Sequence, residues 1–299
     1  AKVKIGVVPY GDYVNVGTQH RGKAWLSVPS DYSTTSTRTC RTLTTKQQGT
    51  RGAPKTCTRT VDGVRESYDC TPSTCTTVEV PPYESCSGGG TTNYRWYGCV
   101  GSRTSGLLRR TDESPNVPYP GLLGSSQNCL NPIVPLTDVK STVVSAVRGM
   151  VVNVGGYRPS TYIPAGLIWG VNLLSPTKPF TQGKAYDLAN KVPRKAIVLM
   201  TDGANTMKFD PDTGKHVATS VEADLAATYE DMQAICDYAK SKKIEVFTVS
   251  FNIDEERAKT AMRSCASTTA NNFDASNSDD LLMAFRNIAQ SLTTVRLTR

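Results

Sequence analysis

Residues 195–205 read KAIVLMTDGAN, and this stretch decides the fold. Ala196, Ile197, Val198, Leu199 and Met200 form an unbroken apolar run of strand length, and Thr201, Asp202 and Gly203 end it abruptly. A strand apolar on both faces is buried on both faces, the habit of a parallel sheet covered by helices. An acidic residue at the carboxyl end of such a strand stands where open α/β sheets place their ligands.

The pattern on either side agrees. Thr137 can cap a helix whose Val143, Val144, Val147, Met150 and Val151 share a face, with Gly155-Gly156 and Pro159 to end it. Pro164 suits the first turn of another, with Leu167, Ile168, Val171 and Leu174 at helical spacing before Ser175-Pro176. A long helix over about 221–241 carries Leu225, Tyr229, Met232, Ile235 and Ala239 on one stripe. IEVFTVSF at 244–251 is the next strand, 255–263 a short helix and Asn272-Phe273 a short strand. Ser278 caps a final helix whose Asp279 and Asp280 complement the dipole. Its apolar face is Leu281, Leu282, Phe285, Ile288 and Leu292. This alternation predicts an α/β fold with a doubly wound, mostly parallel sheet and helices on both faces. Near the start, residues 2–9 alternate and then become apolar, and 13–16 return as a hairpin partner.

Between these regions the character changes. Ser, Thr, Gly, Pro and Cys dominate residues 17–132, helical periodicity is absent, and short β-prone pieces such as 76–80 and 94–100 are bounded by turn formers. The expected organisation is an α/β domain of residues 1–16 and 133–299, interrupted by a Cys/Thr/Ser-rich, disulfide-stapled insertion at 17–132.

Composition narrows the function. The chain has 299 residues, 38% of them hydrophobic, and a mean hydropathy of -0.33. No apolar run approaches the roughly 20 residues that span a bilayer, so a membrane anchor is expected only from a segment outside this chain. The opening AKVKIGVVPY has no signal-peptide pattern. Nine cysteines, seven of them between Cys40 and Cys129, stand beside only two histidines, His20 and His216, and form no paired CxxC spacing. That usage fits disulfides better than zinc and places the chain in the periplasm, at the cell surface or outside the cell. The net charge of +8 is scattered rather than gathered into a basic patch interleaved with aromatics, which argues against a nucleic-acid partner.

RKAIVLMTDGAN resembles the fourth-strand motif of von Willebrand factor A domains, and STYIPAGLIWGVNLLSP resembles the threonine loop and following helix of their TadG-like branch, associated with tight-adherence (Flp-type) pilus assembly. KVKIGVVPY, RWYGCVGSR, IEVFTVSFN, MRSCAS and DLLMAFRNIAQSLTTVRLTR extend the likeness. It covers residues 1–16 and 95–299 and is weak across 17–94. The resemblance implies a divalent cation (Mg²⁺, Mn²⁺ or Ca²⁺) held in part by Thr161 and Asp202, and a partner carboxylate that completes its coordination. The family's DxSxS motif is absent; Asp31-Tyr32-Ser33-Thr34-Thr35 follows no apolar strand. In the family that motif ends a central strand between the ones resembling 2–9 and 195–201. The resemblance therefore implies a strand supplied by a missing amino-terminal segment or by another protomer.

Cys236 on the long helix and Cys265 at the end of the next are expected to pair, and Cys99 with Cys129 is a second pair. The connectivity of Cys40, Cys57, Cys70, Cys75 and Cys86 stays open. Asp210, Asp212 and Gly214 read as a turn or a small calcium loop. Trp25, Tyr94 and Trp96 read as buried β clusters or as a carbohydrate- or partner-binding surface. No GxSxG, HExxH or P-loop occurs, so no enzyme is expected. The functional expectation is a non-enzymatic adhesion and assembly module of a tight-adherence pilus system, with pilus or envelope proteins or an external surface as partners. The alternative is a purely structural subunit of an extracellular fibre or envelope scaffold with no functional metal.

Overall fold

A computed structural model describes residues 3–52, 55–61, 64–70, 73–113 and 117–293; Lys2 and the closing 294–299, part of two of the likenesses above, lie outside them. The chain divides into a larger unit, which runs to Pro29 and resumes at Trp96, and a smaller unit of Ser30–Val61 with Arg65–Arg95. These divisions fall inside the expected 17–132 insertion rather than at its ends.

Among the described residues the larger unit holds five helices: α1 (Lys140–Arg148), α2 (Ile163–Leu174), α3 (Glu222–Ser241), α4 (Glu256–Cys265) and α5 (Ser278–Thr293). The sequence of α2, IPAGLIWGVNLL, is apolar all round, and ten of its twelve residues are buried. A helix of that kind belongs in the interior. Around Trp169 pack Tyr119, Phe180 and Trp25, with ring centroids at 4.6, 6.0 and 6.1 Å. The one strongly polar side chain of α2, Asn172, donates to the Tyr119 hydroxyl at 2.8 Å. Trp25 and Trp96 are core residues, not a binding surface.

The parallel sheet has three strands in the order Ala196–Thr201, Glu245–Phe251, Asn272–Ala275. Ile197 and Leu199 join the core that contains α2 and α3, whereas Ala196 and Met200 pack with Ala284 and Ile288 of α5, so alternate side chains serve opposite faces. The Cys236–Cys265 disulfide ties α3 to the end of α4. A second disulfide, Cys99–Cys129, is buried against Leu122.

The expected doubly wound, mostly parallel sheet is not formed. Among the described residues, parallel order with helical cover is confined to these three strands, and the other strands make small antiparallel or mixed sheets. The cause is the pairing of the amino-terminal segment. Ile5–Val7 runs antiparallel to Val134–Thr137 instead of joining the parallel strands, and Val14–Asn15 pairs with Cys99–Val100 rather than returning as a hairpin partner of 2–9. Two smaller expectations also change. Helix α1 stops at Arg148 with no buried residue, and Met150 and Val151 lie beyond it, both 43% exposed. At α5 the capping side chain is Asn277, whose Oδ1 accepts from the N–H groups of Asp279 and Asp280, both at 2.9 Å.

The smaller unit is a long antiparallel ribbon, Thr39–Arg51 against Ser73–Ser87, extended by the Thr56–Val61 and Val64–Asp69 hairpin. Disulfides Cys40–Cys86 and Cys57–Cys70 staple it, and Cys75 is an exposed free thiol. Four disulfides in one chain denote an oxidising compartment. No helix among the described residues is long and apolar enough to cross a membrane.

Glycine is required where α2 meets the segment after the first strand. A Cβ on Gly166 would lie 2.4 Å from the Tyr10 ring. Gly166→Ala must displace that ring and should lower unfolding free energy by about 1–3 kcal/mol in urea denaturation. An unchanged midpoint would show that Tyr10 does not need this close seat.

Candidate functional site

The carboxyl end of the Ala196–Thr201 strand lies beside the amino-terminal end of α2, and the polar groups of two loops join them. The N–H of Ile163, first residue of α2, donates to Asn205 Oδ1 at 2.8 Å. Thr161 N–H donates to Thr206 Oγ1 at 3.1 Å, and Thr206 N–H returns a bond to Thr161 O at 3.0 Å. The loops that carry Thr161 and Asp202, 41 positions apart in the sequence, are thus locked side by side. Within the Asp202 turn, Thr201 Oγ1 donates to Gly203 O at 2.9 Å. Asp202 itself is exposed and Thr161 half-buried.

Three further groups stand at this edge. Tyr10 donates its hydroxyl to Met200 O at 2.8 Å; burial raises its pKa, and the charge of Asp202 adds to the rise. Tyr229 accepts from Asn205 N–H at 3.2 Å and lies 3.4 Å from Glu255 Oε2. Glu255 follows the next parallel strand, and burial pushes its carboxyl up. A signal for Glu255 did exist, since FNIDEE is an acidic run just after a strand.

The oxygens of Thr161 and Asp202 do not by themselves fit a hard cation. Such an ion takes about six or more oxygen ligands. The buried polar atom left without a partner at these loops is Asn205 Nδ2, a donor that a cation cannot satisfy. Among the described residues, the one group of three Cys, His, Asp or Glu side chains close enough to share an ion is Cys40, Glu84 and Cys86 on the ribbon, and its two sulfurs are joined in a disulfide. Asp210 forms an ordinary turn: its Oδ1 accepts from Asp212 N–H at 3.0 Å and its Oδ2 from the Thr213 hydroxyl at 2.6 Å.

The outer edge of the same strand is open. Lys195 O accepts from Glu245 N–H at 3.0 Å, so Lys195, Ile197, Leu199 and Thr201 turn their backbone groups toward the neighbouring strand. Ala196, Val198 and Met200 turn theirs outward. Among the described residues no strand pairs with that edge, and the Tyr10 hydroxyl donates to Met200 O there. Val198 is 39% exposed although its neighbours Ile197 and Leu199 are buried.

Behind the Thr161 loop lies a buried histidine. The His216 ring is stacked between Tyr162 at 3.8 Å and Tyr13 at 4.9 Å. Its Nδ1 meets the backbone carbonyl of Asp12, which can only accept, so Nδ1 carries the proton and Nε2 accepts from Ser102 Oγ at 2.9 Å. The Asp12 carboxylate accepts from Tyr157. Ser102 and His216 are both buried, so this dyad is structural rather than nucleophilic.

No known family model matches the chain, and no curated protein matches it. Among solved structures it is similar to the pilus adhesin SpaC from Lactobacillus rhamnosus GG, with a TM-score of 0.36 and 15% identity. That similarity covers 54% of this chain and 22% of the adhesin, so the chain spans less than a quarter of that protein's length.

Burial pushes His216 down to about 4 from an ordinary 6.5. Its folded pKa lies below the unfolded one, so the neutral ring's contribution is complete above pH 6.5 and is lost as pH falls toward 4. The loss should approach about 3 kcal/mol, partly offset by Asp12 and Glu255, whose carboxyls burial raises. Urea unfolding at pH 7 and pH 4.5 measures it. His216→Gln should be less stable at pH 7 yet flatten the slope, and an equally steep slope would assign the acid lability to other groups.

Proposed function

We propose that the chain is a non-enzymatic adhesion and assembly module of the cell envelope, whose binding edge is the open side of the Ala196–Thr201 strand next to the Asp202 turn. The observation that carries this reading is the outward set of backbone groups at Ala196, Val198 and Met200, which no described strand meets. An unpaired strand edge is a template for an extended segment of another polypeptide, or of further sequence joined to this one. Main-chain hydrogen bonds would supply affinity, and the apolar surface at Val198 would select apolar side chains. The four disulfides and the absence of catalytic motifs support a binding role outside the cytoplasm.

The likeness of Arg194–Asn205 to a von Willebrand A strand motif and of Ser160–Pro176 to its TadG-like branch supports placing the module in tight-adherence pilus assembly, with pilus or envelope components as partners. A divalent cation held by Thr161 and Asp202 would need most of its oxygens from the added segment. A second reading, a structural subunit of a fibre or scaffold, is favoured by the ribbon described below.

A blocked peptide of six Val and Ile residues tests the edge. It should bind saturably and slow amide exchange at Ala196, Val198 and Met200, and its N-methylated analogue should not. Val198→Pro removes an outward N–H while sparing the ladder to Glu245–Phe251 and should abolish the binding. Binding that survives Val198→Pro, or protection elsewhere in the chain, would move the site away from this strand.

A further inference from the structure

The ribbon of the smaller unit has its charges sorted by strand. Thr39–Arg51 carries Arg41, Lys46 and Arg51 and no acid; Ser73–Ser87 carries Glu79 and Glu84 and no base. Arg41, Lys46, Glu79 and Glu84 are exposed, and among the described residues none of the four forms an ion pair. The two strands pair only with each other, so each has an outer edge free of any described strand. Nothing in the ribbon's own ladder requires the sorting. Within it Glu79 faces Thr45 and Glu84 faces Thr42, so neither acid faces a base.

We propose that ribbons of successive copies of this chain join edge to edge, the acidic strand of one against the basic strand of the next. Two ribbons laid side by side in the same orientation place these strands antiparallel, as in a continued meander. Opposed residues share a face, so the stagger between copies is an even number of residues, and one of four sets either Glu79 across from Arg41 or Glu84 across from Lys46 of the next copy, according to its direction. A two-fold contact of like strands would set acid against acid or base against base, which opposes it. The unlike contact leaves one acidic and one basic edge free at the ends, so it is heterologous and propagates. Pro81 and Pro82 remove two donors from the acidic strand, where the ribbon's own register also shifts. The residues on either side of them therefore carry the shared ladder.

This inference is independent of the strand-accepting edge at Val198. The test uses the full chain carrying Cys75→Ser, which removes thiol cross-linking, followed by sedimentation across a concentration series at low salt. Three proteins are compared: the parent, Glu79→Lys with Glu84→Lys, and Arg41→Glu with Lys46→Glu. The parent should grow beyond a dimer with concentration and revert toward monomer near 1 M salt, where the Debye length is about 3 Å. Each reversed variant should stay monomeric alone, and an equimolar mixture of the two should associate, which also shows that neither is misfolded. Val198→Pro should associate as the parent does. A monomeric parent, a reversed variant that assembles as the parent does, or a mixture that stays monomeric overturns the proposal.

Discussion

The N–H of Ile163 has to find an acceptor without water. It opens a helix buried on nearly all sides, and an unmet backbone donor in that position costs about 1–3 kcal/mol. The acceptor comes from outside the helix, as Oδ1 of Asn205. Much of the larger unit follows from that bond. It brings the loop after the Ala196–Thr201 strand against the entry to α2, where the paired bonds of Thr161 and Thr206 fix the rest of the alignment. Tyr10 reaches Met200 O only because Gly166 leaves its ring a seat on the helix. The site is thus a consequence of burying α2, and the cluster around His216 closes the same helix end from behind.

The two units reach stability by different physics. In the larger one, apolar area around Trp169 and the faces of three parallel strands exclude water. The ribbon has almost no buried side chain, and a two-stranded hairpin in water is marginal. Covalent staples at Cys40–Cys86 and Cys57–Cys70 take the place of a core, by restricting the unfolded chain. A ribbon stabilised in that way is free to keep both faces polar, so its surface can be given over to charge.

Periodicity made the regular elements legible. The apolar run at 196–200, the stripe from Leu225 to Ala239 and IEVFTVSF each correspond to an observed element within one or two residues of the expected bounds. Partner choice was not legible. The residues of Ile5–Val7 suit a parallel or an antiparallel neighbour equally, and their pairing with Val134–Thr137 rests on contacts across more than a hundred residues. The cap of α5 was misplaced by a single position, because Asn277 and Ser278 are adjacent and both are capping residues. At the site, Thr161 and Asp202 were singled out by the resemblance, whereas Asn205, Tyr10, Tyr229 and Glu255 gain meaning only once the loops are folded together. The association of Asp12, Ser102 and His216 leaves no local trace, since each comes from a different segment.

Two open edges in one chain would select partners in different ways. The Ala196–Thr201 edge offers backbone groups and one exposed valine, and a main-chain ladder accepts almost any extended apolar segment. Its selectivity must come from what surrounds it, which here includes the Asp202 turn and the Tyr10 hydroxyl at the strand's carboxyl end. The ribbon edges offer charge of one sign each, and charge discriminates strongly against like partners while adding little net affinity in water. Hydrophobic addition at the first edge would persist in salt, and ionic addition at the second would not. Because the two differ in this way, changes in ionic conditions can act on contacts between copies without touching what the parallel sheet holds.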